Sequence, residues 1–146
     1  MAAVLQPFEG VRVSAPLLQG MGLVEGCVEG PVAASDLPVG VARIDPESGI
    51  LHETGHPLDG RNLAGTVLIC PTGKGSSSGS YVLLNLARRG LAPAAIVATQ
   101  ADAVLIAGAV LADIPLITGC DKDALQCVAD RTLVRVDGTA GTISLI

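Results

Sequence analysis

One glycine-serine segment of the sequence has the composition of an anion-binding loop. Residues 71–80 read PTGKGSSSGS and lie between the apolar run TVLIC and a run of helical character that begins near Tyr81. Glycines allow positive φ and close approach of a ligand, and the unpaired N–H groups at the start of a helix favour a carboxylate, a phosphate or an alkoxide. This segment is therefore the first candidate for a chemical site.

Two nucleotide-binding motifs fail to fit this segment. A Walker A loop needs a glycine where the chain has Leu68, and the glycine spacing within residues 73–79 is one residue too long for the dinucleotide fingerprint. The other interpretation is a helix N-cap, in which a serine accepts hydrogen bonds from the first N–H groups of the helix. The serines that can serve in this way are Ser77, Ser78 and Ser80.

A second motif, His52-Glu-Thr-Gly-His56, formally matches the H-E-x-x-H pattern of zinc proteases. That pattern binds zinc because a helix places both imidazoles on one face. Gly55 and Pro57 flank His56 and interrupt a helix at this point. We therefore expect both histidines in an exposed turn and no metal bound by this chain.

The cysteines do not suggest a metal or redox site either. Cys27, Cys70, Cys120 and Cys127 lack the paired C-x-x-C spacing, although the last two are close enough in sequence to share a helix face. Free cysteines are commonly buried and behave as small apolar side chains in a reducing compartment. We expect these four to be buried or half-buried thiols.

The composition excludes two classes of partner. The formal net charge is -5, and the only aromatic residues are Phe8 and Tyr81. A nucleic acid would find neither a basic surface nor stacking rings, so we expect none. No apolar run approaches the length of about 18 residues that suggests a membrane span, and the first ten residues lack the pattern of a signal peptide. We expect a cytoplasmic protein that binds no membrane.

The order of apolar runs predicts one α/β domain that spans residues 1–146. Between residues 10 and 65, Gly and Pro separate short runs such as VRVSAPLL at 11–18, which indicates short strands and turns. Strands and helices then alternate, with strand runs at 66–70, 94–99, 114–118 and 132–136 and helical runs at 80–90, 101–113 and 121–130. This alternation predicts a parallel or mixed sheet, to which the first half adds hairpins or a small barrel. The expected fold is β/β/α.

Several motifs within residues 44–117 occur together in one known family. They are the Asp45-Pro-Glu-Ser-Gly turn, His56-Pro-Leu with Gly60, the Gly-Lys-Gly-Ser run at 73–76 with Gly-Ser at 79–80, and Ala92-Pro-Ala-Ala-Ile. With them the chain resembles the small, swivelling domain of the aconitase X family, in the form that is a separate small subunit. The resemblance implies the swivelling β/β/α fold of the fourth domain of aconitase.

The resemblance also implies which residues act. In the family a large subunit carries an iron–sulfur cluster, and the small domain covers the site and contributes a serine. The serine that matches is Ser76, the expected catalytic residue, and Lys74, Gly75, Ser77 and Ser78 are the expected substrate-binding residues. The wider aconitases have a carboxylate-binding arginine where this chain has Ser78, so Lys74, the loop N–H groups or the partner must recognise the carboxylate. No cofactor is expected on this chain itself.

The expected reaction is the dehydration of a small hydroxy acid by a heteromeric hydro-lyase. The family resemblance implies either cis-3-hydroxy-L-proline or, as the alternative, phosphomevalonate, and the Ala- and Arg-rich usage favours the first. Ser76 would remove the proton next to the carboxylate as a stabilised alkoxide. We expect this chain to be inactive without the large subunit.

Two interpretations from other classes remain open at this point. A non-catalytic module can use residues 73–80 to hold a carboxylate or a phosphate as a scaffold. A phosphohistidine swivelling domain has a similar architecture, but its chemistry requires a histidine in the glycine-rich loop. Residues 71–80 contain none, so this interpretation ranks last.

Overall fold

Short apolar runs form the strands of this fold, and longer amphipathic or apolar runs between them form its helices. The computed structural model describes residues 16–146. Its strands are β1 (Pro16–Gln19), β2 (Met21–Val24), β3 (Cys27–Ala34), β4 (Val67–Cys70), β5 (Ala95–Ala98), β6 (Leu116–Thr118), β7 (Leu133–Asp137) and β8 (Thr142–Leu145). Its α-helices are α1 (Gly79–Arg88), α2 (Ala103–Ala112) and α3 (Lys122–Gln126).

The strands form one mixed sheet in the order β1-β8-β7-β3-β4-β5-β6-β2. Strand β3 belongs to two halves of it: residues 27–31 pair antiparallel with β7, and residues 32–34 pair parallel with β4. The parallel half continues through β5 and β6, and the antiparallel half continues through β8 and β1. The two end strands, β1 and β2, are separated in the chain by Gly20 alone, so the sheet curls until its edges meet.

Two hydrophobic cores lie on opposite faces of the parallel strands. Along β4, Val67 and Ile69 belong to one core and Leu68 and Cys70 to the other, because successive side chains of a strand point to opposite faces. The first core joins the parallel strands to the antiparallel strands, and the second joins them to the helices. The layers therefore follow the order antiparallel half of the sheet, parallel half of the sheet and helices, which confirms the predicted β/β/α fold.

Helices α1 and α2 pack against each other over the second core. Leu83 of α1 and Leu105 of α2 are fully buried there. Gly108 allows the two helices to approach closely, because an added Cβ would lie 2.5 Å from Cδ1 of Leu83 and 3.2 Å from Cα of Ser80. None of the described helices is long enough and apolar enough to cross a membrane.

The second half of the chain follows the sequence prediction closely. Strands β4 to β7 overlap the predicted strand runs, and α1 ends just before Gly90, whose φ of 72° is typical of a residue that follows a helix. Helix α3 is shorter than the predicted 121–130, and the chain turns at Arg131, which has a φ of 69°. Strand β8 was not predicted, and it pairs with β7 through a tight connection.

The first half of the chain is less regular than predicted. The part of the first predicted strand at 11–15 lies outside the described residues. Residues 35–66, all of them described, contain no strand of the sheet but a 3-10 turn at Val41–Arg43 and isolated bridges such as Ile44–Leu51. Of the two alternatives predicted for the first half, hairpins or a small barrel, this segment forms no hairpin of the sheet, and it packs through buried side chains such as Leu51 and Leu63.

Candidate active site

The glycine-serine segment connects β4 to α1 at the carboxyl edge of the parallel strands. In α/β sheets this edge is the usual place for ligands. The N–H of Val39 donates a hydrogen bond to the carbonyl of Thr72 at 3.1 Å, and Val39 forms a bridge with Gly73. Gly75 has a φ of 75°, a conformation that glycine adopts without strain, and the chain then leads through Ser76 into α1.

Ser76 is exposed, and its Oγ lies 3.1 Å from Oγ of Ser78. The carbonyl of Ser76 accepts a hydrogen bond from the N–H of Gly79 at 3.0 Å, which holds Ser76 against the start of α1. Ser78 is the N-cap residue of α1, but its side chain makes no capping hydrogen bond, and the Ser80 hydroxyl donates to the carbonyl of Ser77 at 3.4 Å. The N-cap interpretation of the serines is therefore wrong in the described chain.

Lys74 forms an ion pair with the buried carboxylate of Glu53. The Glu53 side chain is 9% exposed and the Lys74 side chain 51%. The second carboxylate oxygen of Glu53 accepts a hydrogen bond from the N–H of Gly40 at 3.0 Å. Burial by itself raises the pKa of Glu53, but the hydrogen bonds from Lys74 and Gly40 outweigh it and hold the pKa below its ordinary value. Glu53 is therefore ionised at neutral pH and offsets the charge of Lys74.

Asp102 places a second carboxylate beside the loop. Its Oδ1 accepts a hydrogen bond from the N–H of Leu105 at 2.9 Å and so caps α2. The same carboxylate lies against Gly73, where an added Cβ would be 2.9 Å from Oδ1. Gly75, Ser76 and Asp102 line a narrow cavity at the base of the loop. The sequence pattern did not predict Glu53 or Asp102 as site residues, although Asp102 stands where a helix N-cap is common.

The H-E-x-x-H segment is a turn rather than a helix, as expected, but of its two histidines only His52 is exposed. The expectation of an exposed His56 is wrong, because its ring is buried. His56 Nδ1 accepts a hydrogen bond from the N–H of Leu58 at 3.0 Å, and Nε2 lies 3.0 Å from the carbonyl oxygen of Pro38. With Nδ1 accepting, Nε2 carries the proton and donates to Pro38. The His56 ring therefore links the backbone at Pro38 to the backbone at Leu58.

The four free thiols differ in their burial. Cys70 and Cys120 are buried, whereas Cys27 and Cys127 are exposed, so the expectation of burial is wrong for the last two. Burial raises the pKa of Cys70 to about 12, with a smaller contribution from Asp102. Within residues 16–146, no three His, Cys, Asp or Glu side chains converge on a point where a metal ion can bind.

The family described as the aconitase X swivel domain matches residues 17–145. The chain belongs to this family. Among the curated relatives of this swivel domain is the phosphomevalonate dehydratase small subunit of Methanosarcina acetivorans, which is 37% identical over 130 residues, covering 88% of this chain and 90% of the relative. The phosphomevalonate dehydratase small subunit of Pyrococcus furiosus is 38% identical over 130 residues, covering 88% and 95%.

Solved structures agree with this assignment. The crystal structure of Thermococcus kodakaraensis aconitase X in its holo form superposes with a TM-score of 0.83 at 35% identity, covering 88% of the swivel domain chain and 97% of that chain. The solution NMR structure of a UPF0107 protein superposes with a TM-score of 0.80 at 34% identity. The predicted family and fold are thereby confirmed, and the relatives are named as small dehydratase subunits. Their names agree with phosphomevalonate, the alternative, better than with cis-3-hydroxy-L-proline.

The N-cap role of Asp102 in this swivel domain can be tested by substitution. Asp102→Ala should lower the free energy of unfolding by about 1 kcal/mol, because alanine cannot accept the hydrogen bond from the N–H of Leu105. Asp102→Asn retains an oxygen acceptor and should keep most of the stability. Urea unfolding followed by circular dichroism measures the difference, and an Ala variant as stable as the wild type would contradict the N-cap role.

Proposed function

We propose that this swivel domain is the small subunit of a heteromeric dehydratase that acts on phosphomevalonate, and that Ser76 is its catalytic base. The observation that carries the proposal is the similarity to named phosphomevalonate dehydratase small subunits over nearly the whole chain. The position of Ser76 supports it, because an exposed hydroxyl beside a helix start is accessible to a substrate.

The reaction proposed for this site is the loss of water from a β-hydroxy acid. The base removes a proton from the carbon next to the carboxylate, and the electron pair of that C–H bond becomes the second bond of a C=C double bond. The C–O bond to the hydroxyl group breaks with its electron pair on oxygen, and the departing hydroxide takes a proton from a general acid that the large subunit would supply, and leaves as water. Ser76 Oγ takes the first proton in this proposal, so it must act as an alkoxide.

A serine alkoxide needs stabilisation, because a free hydroxyl is almost fully protonated at neutral pH. Around Ser76 Oγ, the Ser78 hydroxyl can donate a hydrogen bond at 3.1 Å. The positive end of the α1 dipole, which begins directly after this loop, adds to this stabilisation. These interactions strengthen when water is excluded, and Ser76 is exposed in this chain. A covering large subunit therefore completes the site.

The large subunit must also supply much of the recognition of the anionic substrate. Phosphomevalonate carries a carboxylate and a phosphate, whereas this chain has a net charge of -5. Lys74 is the cation of the loop, and Glu53 already offsets its charge. Lys74 and the N–H groups of residues 75–78 can contact one anionic group, which leaves the other to the partner.

The iron–sulfur cluster expected from the family belongs to the large subunit in this proposal. We assign no cluster to the four cysteines of this chain, since two are buried and two are exposed, and within residues 16–146 no three metal-ligating side chains converge. The steps assigned to this chain are proton removal by Ser76 and anion contact by its loop.

Reconstitution of the complex tests the proposal. The small subunit is co-expressed with its large subunit, purified anaerobically, and assayed for dehydration of phosphomevalonate and of cis-3-hydroxy-L-proline. We expect kcat/KM to favour phosphomevalonate by about a hundredfold or more, because groups built to bind a phosphate stay unpaired with the smaller substrate. The small subunit alone should be inactive. A complex that prefers cis-3-hydroxy-L-proline would contradict the proposed substrate, and failure to assemble would favour a scaffold role.

A further inference from the structure

The ion pair between Glu53 and Lys74 is a feature of the site that proton removal by Ser76 does not use. We propose that Glu53 is a positioning residue for the dehydration: it holds Lys74, and through it the loop of residues 73–76, in the arrangement that the substrate requires. This inference rests on the proposed function, because it names a further residue that the same site needs.

Glu53 joins two walls of the cavity that contains Ser76. Its Oε1 accepts the hydrogen bond from the N–H of Gly40, and its Oε2 contacts Nζ of Lys74. Both Gly40 and Lys74 line that narrow cavity together with Ser76. A buried carboxylate requires such partners, because a charge removed from water is strongly unfavourable unless it is paired. Loss of the charge on Glu53 would therefore remove the link between Gly40 on one wall of the cavity and Lys74 on the other.

Glu53 can hold Lys74 because its own backbone is fixed. The N–H of Glu53 donates to Oδ1 of Asp59 at 2.9 Å, and its carbonyl accepts a hydrogen bond from the N–H of His56 at 3.0 Å. The buried His56 ring in turn donates to the carbonyl of Pro38 at 3.0 Å. This turn is anchored on both sides and gives Lys74 a fixed partner.

The contribution of the ion pair to catalysis is geometric. Fixing a free lysine side chain costs rotamer entropy, and the pair with Glu53 restricts Lys74 before the substrate binds, so binding loses less entropy. An ammonium group has several N–H donors, so Lys74 can contact Glu53 and a substrate anion at the same time. The pair itself is electrically neutral, so it adds little long-range attraction for the substrate.

A double-mutant cycle on the reconstituted complex tests this role. Glu53→Gln keeps an oxygen for the Gly40 N–H but removes the charge that holds Lys74. We expect Glu53→Gln and Lys74→Ala each to lower kcat about tenfold, and the double variant to be no slower than Lys74→Ala alone. The control is Glu47→Gln, because Glu47 is exposed and its carboxylate makes no hydrogen bond or ion pair within residues 16–146; it should match the wild type.

Additive losses of kcat in this cycle would overturn the proposal, because Glu53 would then act independently of Lys74. A melting temperature lowered by Glu53→Gln without coupling in kcat would overturn it as well, since that result describes a purely structural role. Failure of the proposed function is recognised separately, by a wild-type complex that does not dehydrate phosphomevalonate. In that case the amide chemical shifts of Gly75 and Ser76 are measured in isotopically labelled complexes of the two single variants and the double variant. Changes in these shifts that are not additive support the proposal, and additive changes overturn it.

Discussion

Replacement of Ser76 by alanine should lower kcat of the reconstituted dehydratase about a thousandfold, because the substitution removes the proposed base and leaves the loop N–H groups in place. The melting temperature should stay within about a degree of the wild type. Ser76 is exposed, and its side-chain hydrogen bond in the described chain is to another exposed serine, so its removal changes little in the folded state. Turnover and thermal unfolding measured on the same preparations separate the two effects.

The neighbouring serines provide matched controls for this prediction. Ser77→Ala removes a hydroxyl from the same loop but keeps the backbone N–H that is proposed to contact the substrate anion, so it should retain nearly full turnover. Ser78→Ala should lower kcat about tenfold, because it removes the hydroxyl that lies 3.1 Å from Ser76 Oγ and can stabilise the alkoxide. A Ser76→Ala complex with turnover near that of the wild type would contradict the serine-base mechanism and leave the loop as an anion-binding site.

The parallel half of the fold could be predicted because its strands are buried on both faces. Runs such as VLIC in β4 and AIVA in β5 contain no polar residue. A helix follows each of these two strands in the chain, so strands and helices alternate. The closure of the sheet could not be predicted in the same way. Strands β1 and β2 are four residues each, too short for a periodic pattern, and their residues pair with partners 92 to 128 positions away in the sequence.

The sequence predicted those residues of the site that lie in the one continuous loop at 71–80, and not those that come from other segments. The motif around Ser76 is local in sequence, so a family resemblance located it. Glu53 and Asp102 come from segments before and after the loop, and only the fold brings them beside it. The H-E-x-x-H pattern drew attention to His52 and His56 as metal ligands. The residue of that segment that contacts the loop is instead Glu53, which lies between the two histidines. Its carboxylate is buried and pairs with Lys74 of the loop.

Gly108→Val should destabilise the domain by about 3 kcal/mol, the upper end of the usual cost of overpacking a core. The first added carbon alone would lie 2.5 Å from Cδ1 of Leu83 and 3.2 Å from Cα of Ser80. Leu83 is fully buried and Cα of Ser80 is backbone, so neither can move away without disturbing the close packing around it. Helix propensity favours valine over glycine by less than about 0.5 kcal/mol, so steric repulsion decides the outcome. Urea unfolding measures the loss.

Two comparisons identify helix contact as the cause of that loss. Ala107→Val places the same side chain at an exposed position of α2 and should cost less than about 1 kcal/mol. Leu83→Ala, which is destabilising on its own, should cost much less in the Gly108→Val background because it removes the clashing atoms. Turnover should fall with Gly108→Val as well, since displacement of Ser80 moves the first turn of α1, directly after the Ser76 loop. Unchanged stability would instead contradict the prediction and mean that α1 and α2 can move apart at Gly108 without cost.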